Sequence, residues 1–391
     1  MDRMIYRTPL LSPKDERALD AINGLRDDLR LYVRNPRRWH GTLRRATVAR
    51  AVQGSNSIEG YHATVEDVAA LIANEEPSKL DPATRDAVAG YRDAMTYVIQ
   101  QALEAPAIDA STLRALHFMI TRHDLSSNPG LWRPGPVWVN DSEGRAVYEA
   151  PERSLLEPLV SALLDQINAS DKHVIVTAAM AHLNLVLVHP FSDGNGRVAR
   201  CLQSLVLGSD GLLSPEFFSI EEYLGRNTPA YYAALNDVAG GRWSPDRSAR
   251  PWVEFCITAH YRQAMTVRRR IREMEELWDR CEQLAAQHRL PARTVAALVD
   301  SARGWTLRRS LYMSLIEISY GETVSSAVAT RDLTAMTRVG LLDARGERRG
   351  RHYVGASPLR EVWHGIRRAR PPRGADDPYQ LPTTPTLPGL L

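Results

Sequence analysis

Lysine is almost missing from this 391-residue sequence: Lys14, Lys79 and Lys172 stand against 46 arginines. That ratio reflects codon bias in a GC-rich genome before it reflects function. Cysteine is as scarce. Cys201, Cys256 and Cys281 are too few and too scattered for a disulfide framework or a CxxC zinc site, which excludes a small secreted scaffold and fits a reducing compartment. No apolar run reaches the roughly 18 residues that a membrane helix needs. The opening MDRMIYRTPLLSPKDER lacks the apolar centre of a secretory signal. A cytoplasmic protein with no membrane partner is therefore expected. Net charge is small too, at +3, so any preference for phosphate must come from local patches. With 44% apolar residues, the chain can fill two or three domain cores and is not disordered.

Apolar spacing is helical through most of the length. Thr64 opens the series Val65, Val68, Ala69, Ile72, and Asp81-Pro82 offers an N-cap followed by proline, so residues 1–105 read as an N-terminal helical region. Ser154 to Gln166, and Val174 with Ala178, Ala181, Leu185 and Val188, continue the pattern into a region spanning 106–248. One stretch breaks it. Val137 to Asn140 and Ala146 to Tyr148 bracket the turn residues Asp141 to Gly144 and predict a short hairpin. Residues 249–289 read as one or two amphipathic connecting helices. Within 290–356 the spacing predicts helices near 292–302, 306–316 and 322–339, then strands at 341–343 and 352–354, the order of a winged helix. Residues 357–391, with six prolines after position 370, are expected as a disordered tail.

The stretch that carries chemistry is His189-Pro190-Phe191-Ser192-Asp193-Gly194-Asn195-Gly196-Arg197-Val198-Ala199-Arg200. Glycines bring amide N–H groups close to an anion, and a following helix start adds its positive end, so Gly194, Asn195 and Gly196 suit phosphates. Asp193 offers a hard oxygen to Mg²⁺. Arg197 and Arg200, three apart, share a helix face and could clamp outer phosphates. His189 titrates near neutrality and suits the removal of a proton from a hydroxyl. Gly194 to Ala199 also satisfies the dinucleotide pattern G-x-G-x-x-A. That fingerprint needs a βαβ unit, and the helical spacing before it and the lack of alternating strands after it argue against one.

The twelve residues resemble the signature of the Fic (Fido) family, H-x-F-x-[D/E]-G-N-G-R-x-x-R, with every specified letter present. The resemblance implies a mainly α fold: a Fic-type helical core with a small β-hairpin flap, plus a C-terminal winged-helix domain. It also implies a protein adenylyltransferase moving AMP from ATP to a Ser, Thr or Tyr hydroxyl of a target protein. By position, His189 would be the base, Asp193 the Mg²⁺ ligand, Gly194, Asn195 and Gly196 the phosphate loop, and Arg197 and Arg200 the clamp. Tyr231, Tyr232 and Leu235 fall where the family surrounds adenine; Ala239 stands where a polar contact to the base is common. The hairpin falls where the family holds its target segment as an added strand.

Upstream, Ser55-Asn56-Ser57-Ile58-Glu59-Gly60 resembles the family's inhibitory motif S/T-x-x-x-E-[G/N]. By resemblance, Ser55, Glu59 and Gly60 form a regulatory element at 55–60, with Glu59 paired to Arg200 in the place of the ATP γ-phosphate. Self-modification and tuning by a homodimer go with this reading. The alternatives are a hydrolase that removes AMP at the same site, and a DNA-binding regulator with a Fic sensor domain. The last draws on eleven arginines against four acids in residues 331–373, a patch that suits a phosphate backbone.

Overall fold

A helix that is apolar all round has to be surrounded, and in Val174–Val188 every residue but Val174 and Val186 is buried. The computed structural model describes residues 4–34, 37–73, 75, 80–104, 107–141, 143–208, 211, 219–370 and 377–381. Val174–Val188 and its neighbour Asn195–Gly208 form the axis of a helical bundle, with Pro82–Glu104, Ala110–Thr121 and Leu156–Asn168 packed around the pair. The N-terminal segment is pinned to this axis by Asn184, which accepts from Tyr6 N–H at 2.9 Å and donates to Tyr6 O at 3.0 Å. Among the described residues the strands form two antiparallel pairs. Trp138–Asn140 pairs with Ala146–Glu149, Val139 facing Tyr148, and Leu342–Arg345 pairs with His352–Gly355.

Local signals set the helix starts. Thr64 and Asp67 close a reciprocal capping box ahead of Val65–Ile72, and Asp81 accepts from Thr84 N–H at 2.9 Å beside Pro82. The helix His40–Ile58 lies against Glu221–Arg226 through a glycine contact. A Cβ on Gly54 would come within 2.6 Å of Glu221 O, and one on Gly225 within 2.5 Å of Gly54 O. The two backbones therefore touch, which fixes the last turns of His40–Ile58.

Two expectations change. The connector at 249–289 is one continuous helix, Arg250–Gln287, about 57 Å long at 1.5 Å per residue. Its first half belongs to the core: Trp252 Nε1 donates to Ala179 O at 2.7 Å, and Cys256 and His260 are buried. Its second half packs on Val295–Ala302 and Ser357–Arg368, so it is a shared core element and not a linker. The tail expected at 357–391 is also corrected. Ser357–Arg368 is a helix with Leu359 and Ile366 buried, and Tyr379 reaches back to donate to Asp15 Oδ1 at 3.0 Å. Leu359, Val362, Trp363 and Ile366 follow helical spacing, a signal that the prolines beyond them masked. Positions 371–376 and 382–391 of that tail lie outside the described residues.

Between 292 and 355 the chain makes Val295–Ala302, Arg309–Tyr320 and Ser326–Arg338, followed by the second strand pair. The last two helices start three to four residues later than the spacing predicts. Leu307 is held in extended pairing with Tyr353, 2.8 Å each way, and Ser325 caps the next helix by accepting from Val328 N–H at 3.3 Å. This unit is not separate from the N-terminal helices. Arg45 of His40–Ile58 forms a buried ion pair with Asp300 and lies 5.1 Å from the Trp305 ring centroid. Glu66 accepts from Thr306 N–H at 2.6 Å.

Candidate active site

The bundle axis ends at His189, which adopts a left-handed backbone (φ 52°) and donates its N–H to Leu185 O at 3.0 Å. A non-glycine residue in that region is strained unless its surroundings hold it. Here they do. Phe191 N–H donates to Asn195 Oδ1 and Asn195 Nδ2 donates to Phe191 O, both at 2.9 Å, closing the loop. Gly194 supplies φ +73°, and the next helix starts at Asn195. The Asn195 side chain thus shapes the loop rather than facing a ligand.

Two residues that the motif does not contain hold this loop from below. His117 stacks on Phe191, ring centroids 3.9 Å apart and planes within 9°. Its Nδ1 accepts from Gly130 N–H at 2.9 Å, so Nε2 carries the proton and donates to Asp193 O at 3.1 Å. Burial pushes its pKa down to about 4, which keeps this tautomer neutral. Arg133 donates to His189 O at 3.0 Å, to Gly135 O at 2.6 Å and to Pro151 O, while its own N–H donates to Pro190 O at 2.9 Å. It ties the loop to both sides of the first hairpin. Neither residue had a sequence signal, because their partners are 76 and 56 positions away.

His189 Nδ1 lies 3.0 Å from Val186 O. A carbonyl only accepts, so Nδ1 is the protonated nitrogen and Nε2 keeps its lone pair. Burial, assisted by the Arg133 charge and opposed by the Val186 bond, lowers the pKa below the usual histidine value.

Arg200 is 1% exposed. It donates from Nη2 to Glu59 Oε1 at 2.6 Å and from Nε to Ser55 Oγ at 2.7 Å. Its Nη1 is buried without a partner. Burial opposes its charge, but the Glu59 carboxylate outweighs that cost and raises its pKa. Glu59 follows the last turn of His40–Ile58, and its side chain is 27% exposed. Gly60 beyond it is exposed with φ +83°. A Cβ on Gly196 would meet Glu59 Oε1 at 2.7 Å, so the carboxylate rests directly on the glycine of the phosphate-type loop. Arg197 donates to Asp193 Oδ2 at 3.0 Å, lies under the Tyr61 ring at 5.4 Å, and has Nε and Nη1 buried without partners.

A cleft of about 550 Å³ brings together Glu59, His189, Gly196, Arg200, Tyr231, Tyr232 and Leu235. Val139, Asn140, Asp141, Val147 and Tyr148 of the hairpin form its other side. Asp193, Gly194, Asn195, Arg197, Ser55 and Gly60 stand outside this lining. Of the two tyrosines, Tyr232 is 44% exposed and presents its ring, whereas Tyr231 is buried with its hydroxyl 3.1 Å from His182 Nε2. Asn236 lines the cleft one turn from Tyr232, beside Ala239, and supplies a polar side chain that Ala239 lacks. The described residues hold no group of three metal-ligating side chains. Mg²⁺ held through one carboxylate, substrate phosphates and water needs no such group. Asp193 fits that demand, with its side chain 58% exposed next to the loop.

Residues 107–207 match the model of the Fic/DOC family. The protein adenylyltransferase Fic of Nematostella vectensis is 27% identical over 253 residues, 63% of this chain and 55% of that protein. The protein adenylyltransferase fic-1 of Caenorhabditis elegans is 28% identical over 260 residues, 63% of this chain and 46% of that one. The chain thus spans about half the length of these curated relatives. Among solved structures, a Fic family protein from Desulfovibrio desulfuricans superposes with a TM-score of 0.57 at 20% identity, covering 90% of this chain and 99% of that one. At that identity the likeness is one of fold.

Proposed function

We propose that the chain is a Fic/DOC-type protein adenylyltransferase restrained at rest by Glu59, a reading supported by the match of residues 107–207 to that family's model and by the adenylyltransferase relatives. The observation that carries the reading is a histidine with a free Nε2 in the same cleft as a buried arginine whose Nη1 has no partner. The incoming group is a Ser, Thr or Tyr hydroxyl of a target protein. Its oxygen bonds to the α-phosphorus of ATP, the bond from that phosphorus to the β-phosphate bridging oxygen breaks, and pyrophosphate leaves. The hydroxyl proton passes to His189 Nε2. Protonated Nδ1, held by Val186 O, keeps the ring oriented for this transfer.

Arg200 and Arg197 neutralise the outer phosphates, and the helix start at Asn195 to Gly196 presents backbone N–H groups to them. Mg²⁺, held by Asp193, would supply further charge neutralisation on the phosphates. Adenine lies against Tyr232 and Leu235, with Asn236 as its polar contact. The hairpin edge Trp138–Asn140, with Trp138 half exposed, docks the target segment as an added strand. Three buried free thiols, Cys201, Cys256 and Cys281, support a cytoplasmic setting.

At rest, Glu59 occupies Arg200 Nη2 and covers Gly196, so the terminal phosphate has no place to bind. The same carboxylate, left beside the cleft once pyrophosphate is absent, favours a second activity, orienting water for removal of AMP from a modified target. Incubation of the protein with labelled ATP and Mg²⁺ tests the reading: label should appear on protein and vanish in His189→Ala. Label that persists in a folded His189→Ala variant rejects this base.

A further inference from the structure

Five arginines that pack into this protein pair with carboxylates: Arg45 with Asp300, Arg200 with Glu59, Arg270 with Glu222, Arg293 with Asp332 and Arg370 with Glu273. Four exposed arginines do not. Arg308 and Arg309, at the start of Arg309–Tyr320, and Arg348 and Arg351, in the turn before His352–Gly355, are exposed. None has an ion pair among the described residues, yet all four line a single groove of about 520 Å³. The two pairs are some forty positions apart in sequence. The Leu307–Tyr353 pairing, 2.8 Å each way, joins their segments into one wall. No carboxylate lines the groove.

The facing wall is the helix Ser326–Arg338. Ser326, Thr330 and Thr334, at i, i+4 and i+8, share one face of it. The hydroxyl protons of Thr330 and Thr334 go to Ser326 O and Thr330 O, each at 2.8 Å. Their oxygens are left as acceptors, the complement of the amino groups on base edges. A wall of arginines beside a hydroxyl-lined helix calls for a ligand with several phosphates in a row and donors between them. It does not suit a single-stranded ligand, which needs aromatic platforms, because the one aromatic residue in the groove, Tyr353, is only 6% exposed. Nor does it suit duplex RNA, whose major groove is too deep and narrow to admit a helix.

We propose that this groove binds duplex DNA, with the four arginines on backbone phosphates and Ser326–Arg338 against the major groove. The proposal stands apart from the transfer reaction, since none of these residues lines the catalytic cleft. The test uses the full chain and a labelled mixed-sequence DNA duplex, with fluorescence anisotropy followed across a salt series. Four phosphate contacts give a slope of log K on log salt near ~−3.6, so affinity should fall about 150-fold between 50 and 200 mM salt. Each of Arg308→Gln, Arg309→Gln, Arg348→Gln and Arg351→Gln should reduce the slope by about one, while lysine at the same positions should largely keep it. All four sites are exposed, so circular dichroism and the thermal midpoint should not change. Absence of salt-sensitive binding overturns the proposal, as does an unchanged slope in the folded quadruple variant. Equal or tighter binding to single-stranded DNA, duplex RNA or anionic vesicles also overturns it.

Discussion

Replacing Glu59 with glycine removes the one carboxylate that forms an ion pair with Arg200 among the described residues. Nothing else in the site need move, since Gly60 beyond it is exposed and the helix before it is held by the Gly54–Gly225 contact. A hydrogen bond between charged groups contributes about 1.5–3 kcal/mol. Arg200 is buried but the Glu59 side chain is 27% exposed, so solvent screening places the pair in the lower half of that range, about 2 kcal/mol. A γ-phosphate that no longer competes with this carboxylate should bind about 30-fold better. The expected outcome for Glu59→Gly is a rise of that order in kcat/KM for ATP, measured as label transferred from ATP to protein, and a matching fall in ATP Kd by calorimetry. Glu59→Gln, which keeps the size and loses the charge, should fall between. Without nucleotide the glycine variant should melt at a lower temperature, because Arg200 is left charged and unpaired, and saturating ATP should restore the midpoint. A folded Glu59→Gly variant with ATP affinity and transfer no higher than wild type refutes the reasoning.

His189→Ala should abolish transfer while retaining ATP binding, as read by parallel calorimetry and label transfer. Because burial holds the His189 pKa below its usual value of 6.5, transfer should stay on its plateau at pH 7, with its acid limb below pH 6.5; a limb centred above 6.5 counts against His189 as the base. His117 titrates near 4 in the fold against 6.5 in the unfolded chain, so the folded protein binds fewer protons between those values. Stability present above pH 6.5 is therefore lost as pH falls toward 4, by at most about 3 kcal/mol, and urea melts of His117→Phe should lack this component. Asp300→Ala leaves Arg45 buried and unpaired and should cost about 3–5 kcal/mol by denaturant melts. Removal of everything after Arg289 should likewise lower the thermal midpoint, because the unit it deletes supports His40–Ile58; an unchanged midpoint would mean that this contact adds nothing.

Much of the local structure was readable because its causes are local. Thr64 and Asp67, Asp81 and Pro82, and the turn residues between Val139 and Tyr148 act within a few positions, and each appears where its chemistry puts it. What escaped depends on distance in sequence. His117 and Arg133 hold the loop through backbone carbonyls that only the folded chain brings near, and a lone histidine or arginine carries no mark of such a partner. The Arg250–Gln287 segment reads as a connector because its charged face dominates the composition. Its buried stripe, running from Trp252 through Ile257 and Ile271 to Cys281, serves two cores in succession. The Ser357–Arg368 helix is hidden for the opposite reason: the prolines beyond it dominate the local composition, while only four apolar residues within it carry the helical spacing.

The central claim is that the His189 to Arg200 loop transfers AMP to a hydroxyl and that Glu59 restrains it. Intact-mass analysis of the Glu59→Gly protein after incubation with ATP and Mg²⁺ tests it most directly, with Glu59→Gly/His189→Ala as the paired control. An increment equal to AMP on the single variant, formed with release of pyrophosphate and absent from the double variant, is the expected result. No increment on the single variant even with added candidate target proteins, an increment of different composition, or an AMP increment that survives loss of His189 contradicts the account.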